Sequence, residues 1–445
     1  MMVWRARRPG PRAWPPGMAG LAALVVSAGV LAGCSVPTPG AGRTGGGTAS
    51  PTAVPTMSPR PSGDRVITPS PGSAEDTRLP RLAFPAAPVV DAAKASTQTL
   101  RMVGEVTHRV RAPLTITGLT LSGTTVAWTQ DVPGTRHRQD VHVLDLVTGR
   151  ERVVYRSRWP TGTMDGRVRL TGHWLVVTDM SRIPSDSDLW VDWAIVAVDL
   201  ATGRAADLAS TDGTKTQGSP AVTTAGGVVT WSEWPADPNT GSWLRSTDVN
   251  IHFADLTTGR RWTIPSLPRA ARTFQVDAGL LYYVLDYGPE DGGSYVMARS
   301  MDGSGTARRV SPSDSAWAVD ARSGRVAWAQ PAWENPKTIW VAGREGKGPL
   351  LRVDPGLNWG PTLGDRLLAW RTINGSIDAM PVTGGTPYPV YDTFENTAKQ
   401  RESSWTGADQ STDGLRVAYA TGGWEDTPGH PTDIVIHVVT VEIVG

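Results

Sequence analysis

The residues of this chain that could do chemistry are one cysteine, seven histidines, scattered carboxylates and 19 tryptophans. A single thiol, Cys34, excludes an internal disulfide framework and any multi-cysteine metal or iron–sulfur site. The histidines (108, 137, 142, 173, 252, 430 and 437) are scattered. His142, His252 and His437 fall on equivalent strands of the repeat described below, so they are expected to alternate along half-exposed strands rather than to cluster round a metal. No Gly-x-Ser-x-Gly elbow, His-Glu-x-x-His or phosphate loop occurs. Gly40-Ala41-Gly42-Arg43-Thr44-Gly45 has dinucleotide-binding letters, but neither the strand before it nor the helix after it that the chemistry needs. Asp186-Ser-Asp188 and Glu290-Asp291-Gly-Gly lack the full ligand spacing of a calcium loop. No catalytic residue, metal or cofactor is therefore expected. A net charge of +1 also argues against nucleic acid, whose binders need a basic excess to neutralise phosphates.

Cys34 is the exception, because of what precedes it. Residues 1–17 carry Arg5, Arg7, Arg8 and Arg12 and no acid, and residues 18–33 are a run of apolar and small residues. A charged region followed by a short apolar one reads as a signal peptide, and it is short for a membrane span of about 20 residues. It ends Leu31-Ala32-Gly33-Cys34, which resembles the lipobox of bacterial lipoproteins. That resemblance implies cleavage after residue 33, a lipid such as palmitate on Cys34, and a chain held at the extracytoplasmic face of the cell membrane by buried CH₂ groups. Only five of the 43 basic residues are lysine, and Gly, Ala and Pro are abundant, which suggests a GC-rich genome.

A linker follows. Pro, Gly, Ser and Thr fill 27 of the 39 positions from 35 to 73, so no core can form there. A flexible chain of this length spans about 35 Å. Residues 74–98 are transitional, with Asp91 able to cap one helical turn through 92–96. The expected organisation is a signal at 1–33, a lipidated cysteine and tether at 34–98, and a folded domain at 99–445.

From about residue 100 one theme returns, a short apolar strand ending in a large or branched residue. Its copies are Val126-Ala127-Trp128, Val176-Val177-Thr178, Val229-Thr230-Trp231, Leu281-Tyr282-Tyr283, Val326-Ala327-Trp328, Leu368-Ala369-Trp370 and Val417-Ala418-Tyr419. Most follow a glycine turn, and in the early copies a second turn comes after: Asp145-Leu-Val-Thr-Gly149, Asp199-Leu-Ala-Thr-Gly203 and Asp255-Leu-Thr-Thr-Gly259. Strand, glycine turn, strand, loop, strand, glycine turn, strand is a four-stranded antiparallel meander. Seven such units of about 45–50 residues predict an all-β, seven-bladed β-propeller. The last unit lacks a fourth strand after Val444, while Leu100–Val110 precedes the first unit without a partner. The N-terminal segment is therefore expected to close the ring as the outer strand of the last blade.

These strands and turns resemble the TolB-type and WD-like propellers of bacterial envelope proteins, most closely at Ser300-Met-Asp-Gly-Ser-Gly305. The resemblance covers about residues 100–445 and implies a fold; propellers host many roles. Alignment of the repeats sends the loops between second and third strands, and those between blades, to one face. Trp234, Trp243, Trp333 and Trp424 lie in the first class of loop; Trp159, Trp317, Trp359 and Trp405 lie in or near the second. Asp131, Asp179, Asp186, Asp237, Asp286, Glu290, Asp291, Glu334, Glu425 and Asp426 accompany them. Flat aromatic surfaces beside acceptors suit stacking on sugars or anchoring a protein. The expected function is a non-enzymatic, monomeric binding module for an envelope protein or cell-wall glycan. The competing class is an extracellular hydrolase or lyase whose catalytic groups come one per blade and meet in the central channel.

Overall fold

In the first repeat, strands Ile116–Ser122, Thr125–Asp131, Gln139–Asp145 and Arg150–Arg156 form one antiparallel sheet in sequence order. The computed structural model describes residues 65–66, 88–110, 116–135, 138–164, 168–181, 191–211, 220–233, 249–267, 270–286, 294–312, 315–330, 338–356, 358–372, 375–391, 411–421 and 434–445. Within them six more sheets follow the same plan, giving a seven-bladed propeller with four antiparallel strands as the common unit of each blade. Every apolar mark read from the sequence sits on the second strand of its blade.

Those marks are continuous apolar runs because each second strand is covered on both faces. Val126, Ala127 and Trp128 are fully buried, as are Val326, Ala327 and Trp328. The core is seven apolar clusters, one in each seam between adjacent blades. Blade one meets blade two through Ala127, Val143, Leu175 and Val196. Blade seven meets blade one through Ile434, Ile436, Ile116 and Trp128, so the ring is closed.

The Asp-x-x-Thr-Gly turns end the third strands by a local mechanism. Asp145 Oδ1 accepts from the amides of Val147 (2.8 Å) and Thr148 (3.1 Å), and Gly149 takes a φ of 67°. The side chain thus stands in for backbone partners while glycine supplies the left-handed residue. Asp255 repeats this with Thr257 and Thr258.

Ring closure follows the expectation from sequence. Thr99–Val110 runs antiparallel to Ile434–Val444, from Thr99 opposite Val444 to Val110 opposite Ile434. It is the outer strand of blade seven. Before it lies a strap. Val89–Asp91 pairs in parallel with the outer strand of blade five, Leu350–Val353. Asp91 Oδ1 then accepts from Ala93 N at 3.0 Å and caps the turn Ala92–Ala95, whose Ala92 is buried in the seam between blades five and six. The strap crosses the last hairpin turn of blade six, where Gly385 N donates to Ala92 O (2.8 Å) and Thr386 N to Gln98 O (3.0 Å). Gly384 and Gly385 are required here. A Cβ on Gly385, at a φ of 137°, would stand 2.2 Å from Gln98 O. Gly385→Ala is expected to cost about 2 kcal/mol or more by displacing the strap; an unchanged melting temperature would show that the strap adds no stability.

Candidate functional site

The two ends of the propeller are built differently. One end, the turn end, carries the tight hairpins that join first to second and third to fourth strands. The other carries the connections between second and third strands and between blades. The tryptophan reading concerns this loop end. Trp234, Trp243, Trp333, Trp405 and Trp424 lie outside the described residues, as do Asp186, Asp237, Glu290, Asp291, Glu334, Glu425 and Asp426. The backbone of Trp359 lies in strand Asn358–Leu363 and that of Asp286 in Leu280–Asp286. Trp159 is half-buried on the cluster between blades one and two, with the Arg158 guanidinium 5.5 Å from its ring centroid. Trp317 opens the inner strand of blade five and is likewise half-buried.

Asp179, grouped by sequence with the acids of this face, is fully buried. Its carboxylate accepts from Tyr155 OH (2.8 Å), Ser157 Oγ (2.7 Å) and Arg158 N (2.9 Å). Arg158 in turn forms a two-pronged pair with Asp207, at 3.0 and 2.6 Å. Burial pushes Asp179 above the usual carboxylate range, against the pull of these donors. Burial and the Asp179 charge push the Tyr155 hydroxyl up in the same way. The carboxylate therefore fixes the passage from blade one to blade two and is closed to a ligand. Gly162 completes the seat, because a Cβ there would stand 1.8 Å from Ser157 Oγ.

At the turn end, carboxylates tie one blade to the next. Asp277, at the end of blade four's inner strand, accepts from Ser323 N (3.1 Å) and Gly324 N (2.6 Å) in the first turn of blade five. Asp413 of blade seven accepts from Gly123 N in the corresponding turn of blade one. Arg322 of blade five binds Asp365 of blade six through Nε (2.7 Å) and Asp413 of blade seven through Nη2 (2.6 Å). It thus spans two blades past the inner strand of the one between. Burial works against the Arg322 charge, but Asp365 and Asp413 more than offset it. Burial also raises Asp320, opposed by the amides of Leu363 and Ala321 and by the charges of Arg169 and Arg322.

Five of the seven histidines fall within the described residues. Three stand directly across from the aromatic or apolar-mark residue of their blade: His142 from Trp128, His252 from Trp231 and His437 from Tyr419. Each stacks on that ring, with centroids 5.6, 5.4 and 4.8 Å apart. Each also has a glutamate: His142 Nδ1 is 2.6 Å from Glu151, His252 Nε2 is 2.9 Å from Glu233, and His437 Nδ1 is 2.6 Å from Glu105. Glu151 holds a second histidine, His108 of the closing strand, at 2.7 Å, and so bridges blade one to blade seven. These histidines are held by stacking and pairing; among the described residues no group of three or more ligand side chains could hold a metal ion.

The hydrogen bond from His142 holds Glu151 below the usual carboxylate range, with His108 adding to the effect against the cost of burial. The native state therefore keeps this charge to lower pH than the unfolded chain does. The stabilisation is present above the ordinary glutamate range and is lost as pH falls through the lowered native value. Glu151→Gln should flatten the acid side of the stability–pH curve. An acid limb identical to the parent's in urea unfolding at pH 3–5 would remove the bridge from the account.

The cross-blade contacts escaped the sequence reading. Their one signal is a charged residue beside the first turn in the later repeats (Asp277, Arg322, Asp365 and Asp413), which becomes meaningful only when ring order is known.

No family model matches the sequence, and no characterised relative does. Among solved structures, the chain is similar to the tricorn protease, at 14% identity and a TM-score of 0.43 over 64% of this chain and 32% of that one. It is also similar to an oligogalacturonate lyase from Vibrio parahaemolyticus (12%, 0.46, covering 78% and 98%). A third is TolB from Acinetobacter baumannii (14%, 0.33, covering 54% and 56%). The chain thus spans about a third of the tricorn protease and just over half of TolB. All three likenesses are distant and concern the propeller architecture; they carry no activity over to this chain. Among the described residues no helix is long and apolar enough to cross a membrane.

Proposed function

We propose that this chain is a binding platform of the cell envelope. Lipidated Cys34 holds it to the extracytoplasmic face of the membrane, and the loop end of the propeller engages a protein or a cell-wall glycan. The observation that carries the binding reading is the employment of the inner carboxylates. Asp277, Asp365 and Asp413 each join one blade to another through backbone amides or Arg322, so these three acids serve assembly. Recognition then falls to the loop end, where the sequence places Trp234, Trp243 and Trp424 beside Pro or Gly in polar segments, with Trp333 in the same class of connections and Trp405 in a connection between blades. Indole rings offer large, stiff contact area at little entropic cost and suit either occupant. The anchor reading rests on Leu31-Ala32-Gly33-Cys34 after the charged and apolar segments.

The test is a capture from solubilised envelope with the parent chain and with Trp234→Ala/Trp243→Ala/Trp424→Ala. Loss of specific partners or of glycan retention is expected, and equal recovery by both forms rejects the binding face. Cys34→Ser should release the chain from the membrane fraction; retention there rejects the lipid anchor.

A further inference from the structure

The outer strand of blade seven stands apart from the other open outer strands. Thr99–Val110 is 12 residues long, whereas Arg150–Arg156 in blade one has seven and Ala205–Ser210 in blade two has six. Blades four and six end in strands of two and four residues. Blades three and five have their outer edges taken by short parallel strands of this chain, Arg65–Val66 and Val89–Asp91. Among the described residues no strand pairs with the outer side of Thr99–Val110, the longest of the outer strands, and its outward N–H and C=O groups are a template for another strand. Residues 101–107 and Arg109 are exposed. Met102, Val103 and Val106, with Val147 and Val153 of neighbouring blade one, are five of the six large hydrophobics exposed among the described residues. Among the described residues the exposed large hydrophobics are thus concentrated on blades seven and one, the two blades that meet where the ring closes.

The strand is also complementary to itself. Its one register shift lies between Met102 and Gly104, and from Gly104 to Val110 the pairing with Ile434–Val444 is regular. Alternation along this regular part puts Glu105, Thr107 and Arg109 on one face. An antiparallel second copy related by a two-fold axis at Thr107 would set Thr107 opposite Thr107. Glu105 would then face Arg109 of the second copy, and Arg109 its Glu105, so each charge pair forms twice. Glu105 also lies 2.6 Å from His437 Nδ1 of the neighbouring strand, so its carboxylate is held on this face of the sheet. We propose that two copies of this chain associate through this edge, joining their seventh blades into one eight-stranded sheet. This goes beyond the binding platform and rests on neither the lipid anchor nor the tryptophan loops.

Cys34 is the only thiol, so the full chain carrying Cys34→Ser and Thr107→Cys has a single reporter at the proposed axis. Directly opposed residues of an antiparallel pair are close enough for a disulfide. Mild oxidation in detergent should give a covalent dimer, whereas Cys34→Ser with Met102→Cys should give none above background. Sedimentation equilibrium of the full chain supplies the second measurement. Arg109→Glu, which sets like charges opposite each other twice, should weaken dimerisation about tenfold or more. The double exchange Glu105→Arg with Arg109→Glu should restore it, with circular dichroism showing that each variant is folded. A chain that stays monomeric at all concentrations overturns the proposal. So does a dimer that neither cross-links at Thr107 nor responds to the charge reversal.

Discussion

A chain lacking residues 99–110 fails to form a stable ring. The deletion strips Ile434–Val444 of a partner along its whole length and removes Leu100 and Val110, which are 3% and 5% exposed, from the seams with blades six and one. Two buried aliphatic side chains contribute about 3–6 kcal/mol, and the lost ladder adds about 1 kcal/mol per hydrogen bond. Together these approach the whole stability of an ordinary domain, about 5–15 kcal/mol. His108 leaves with the strand, which also opens the Glu151 bridge to blade one. The expected outcome is loss of the cooperative thermal transition, or a protein recovered only as aggregate. Leu100→Ala is the graded companion, with an expected cost of about 2–4 kcal/mol. A truncated chain that melts like the parent would mean that the ring does not depend on its closing strand.

Asp179→Ala has the second largest expected effect. The carboxylate is the common acceptor for Tyr155, Ser157 and the Arg158 amide, and it is wholly buried. Its removal leaves three donors without their acceptor in a space too small for free rearrangement, with Gly162 pressed against Ser157. The expected loss is about 3–5 kcal/mol, the range for breaking a buried charged network by removing one member. Asp179→Asn keeps the shape and part of the accepting capacity and should cost less. Chemical denaturation of the two variants checks both size and order. An Asp179→Ala chain as stable as the parent would return this acid to the pool of groups free to meet a ligand.

The strands were legible because burial on both faces writes itself into adjacent residues. Val126-Ala127-Trp128 needs no knowledge of its neighbours to be recognised, and neither does the Asp145 to Gly149 turn, whose hydrogen bonds are local. The missing fourth strand of the last repeat pointed to Leu100–Val110 by simple subtraction. What stayed hidden lies between blades. Asp413 and Gly123 are 290 positions apart, and Arg322 and Asp413 are 91 apart, so no window along the chain brings them together. Asp179 was misread for a related reason: a carboxylate at the end of an apolar strand looks like a loop-end acid until Tyr155 and Ser157 are seen folding back onto it. The strap left a single mark, the Asp91 cap, because most of its other ties are backbone bonds, to blade five and to the turn at Gly384 and Gly385, which any residue could make.

The strap also sets the path of mechanical load. A pull on the chain ahead of residue 88 does not reach the closing strand directly. Along the leash it meets first the two-residue parallel pairing of Arg65–Val66 with blade three, then that of Val89–Asp91 with blade five, then Ala92 wedged between blades five and six, then the backbone bonds to Gly385 and Thr386. Only when these give way does tension arrive at Thr99, the end of the strand that locks the ring. The order of the contacts makes the strap a strain relief, as a cable is clamped before its solder joint, and the propeller can be tugged by its leash without being unzipped.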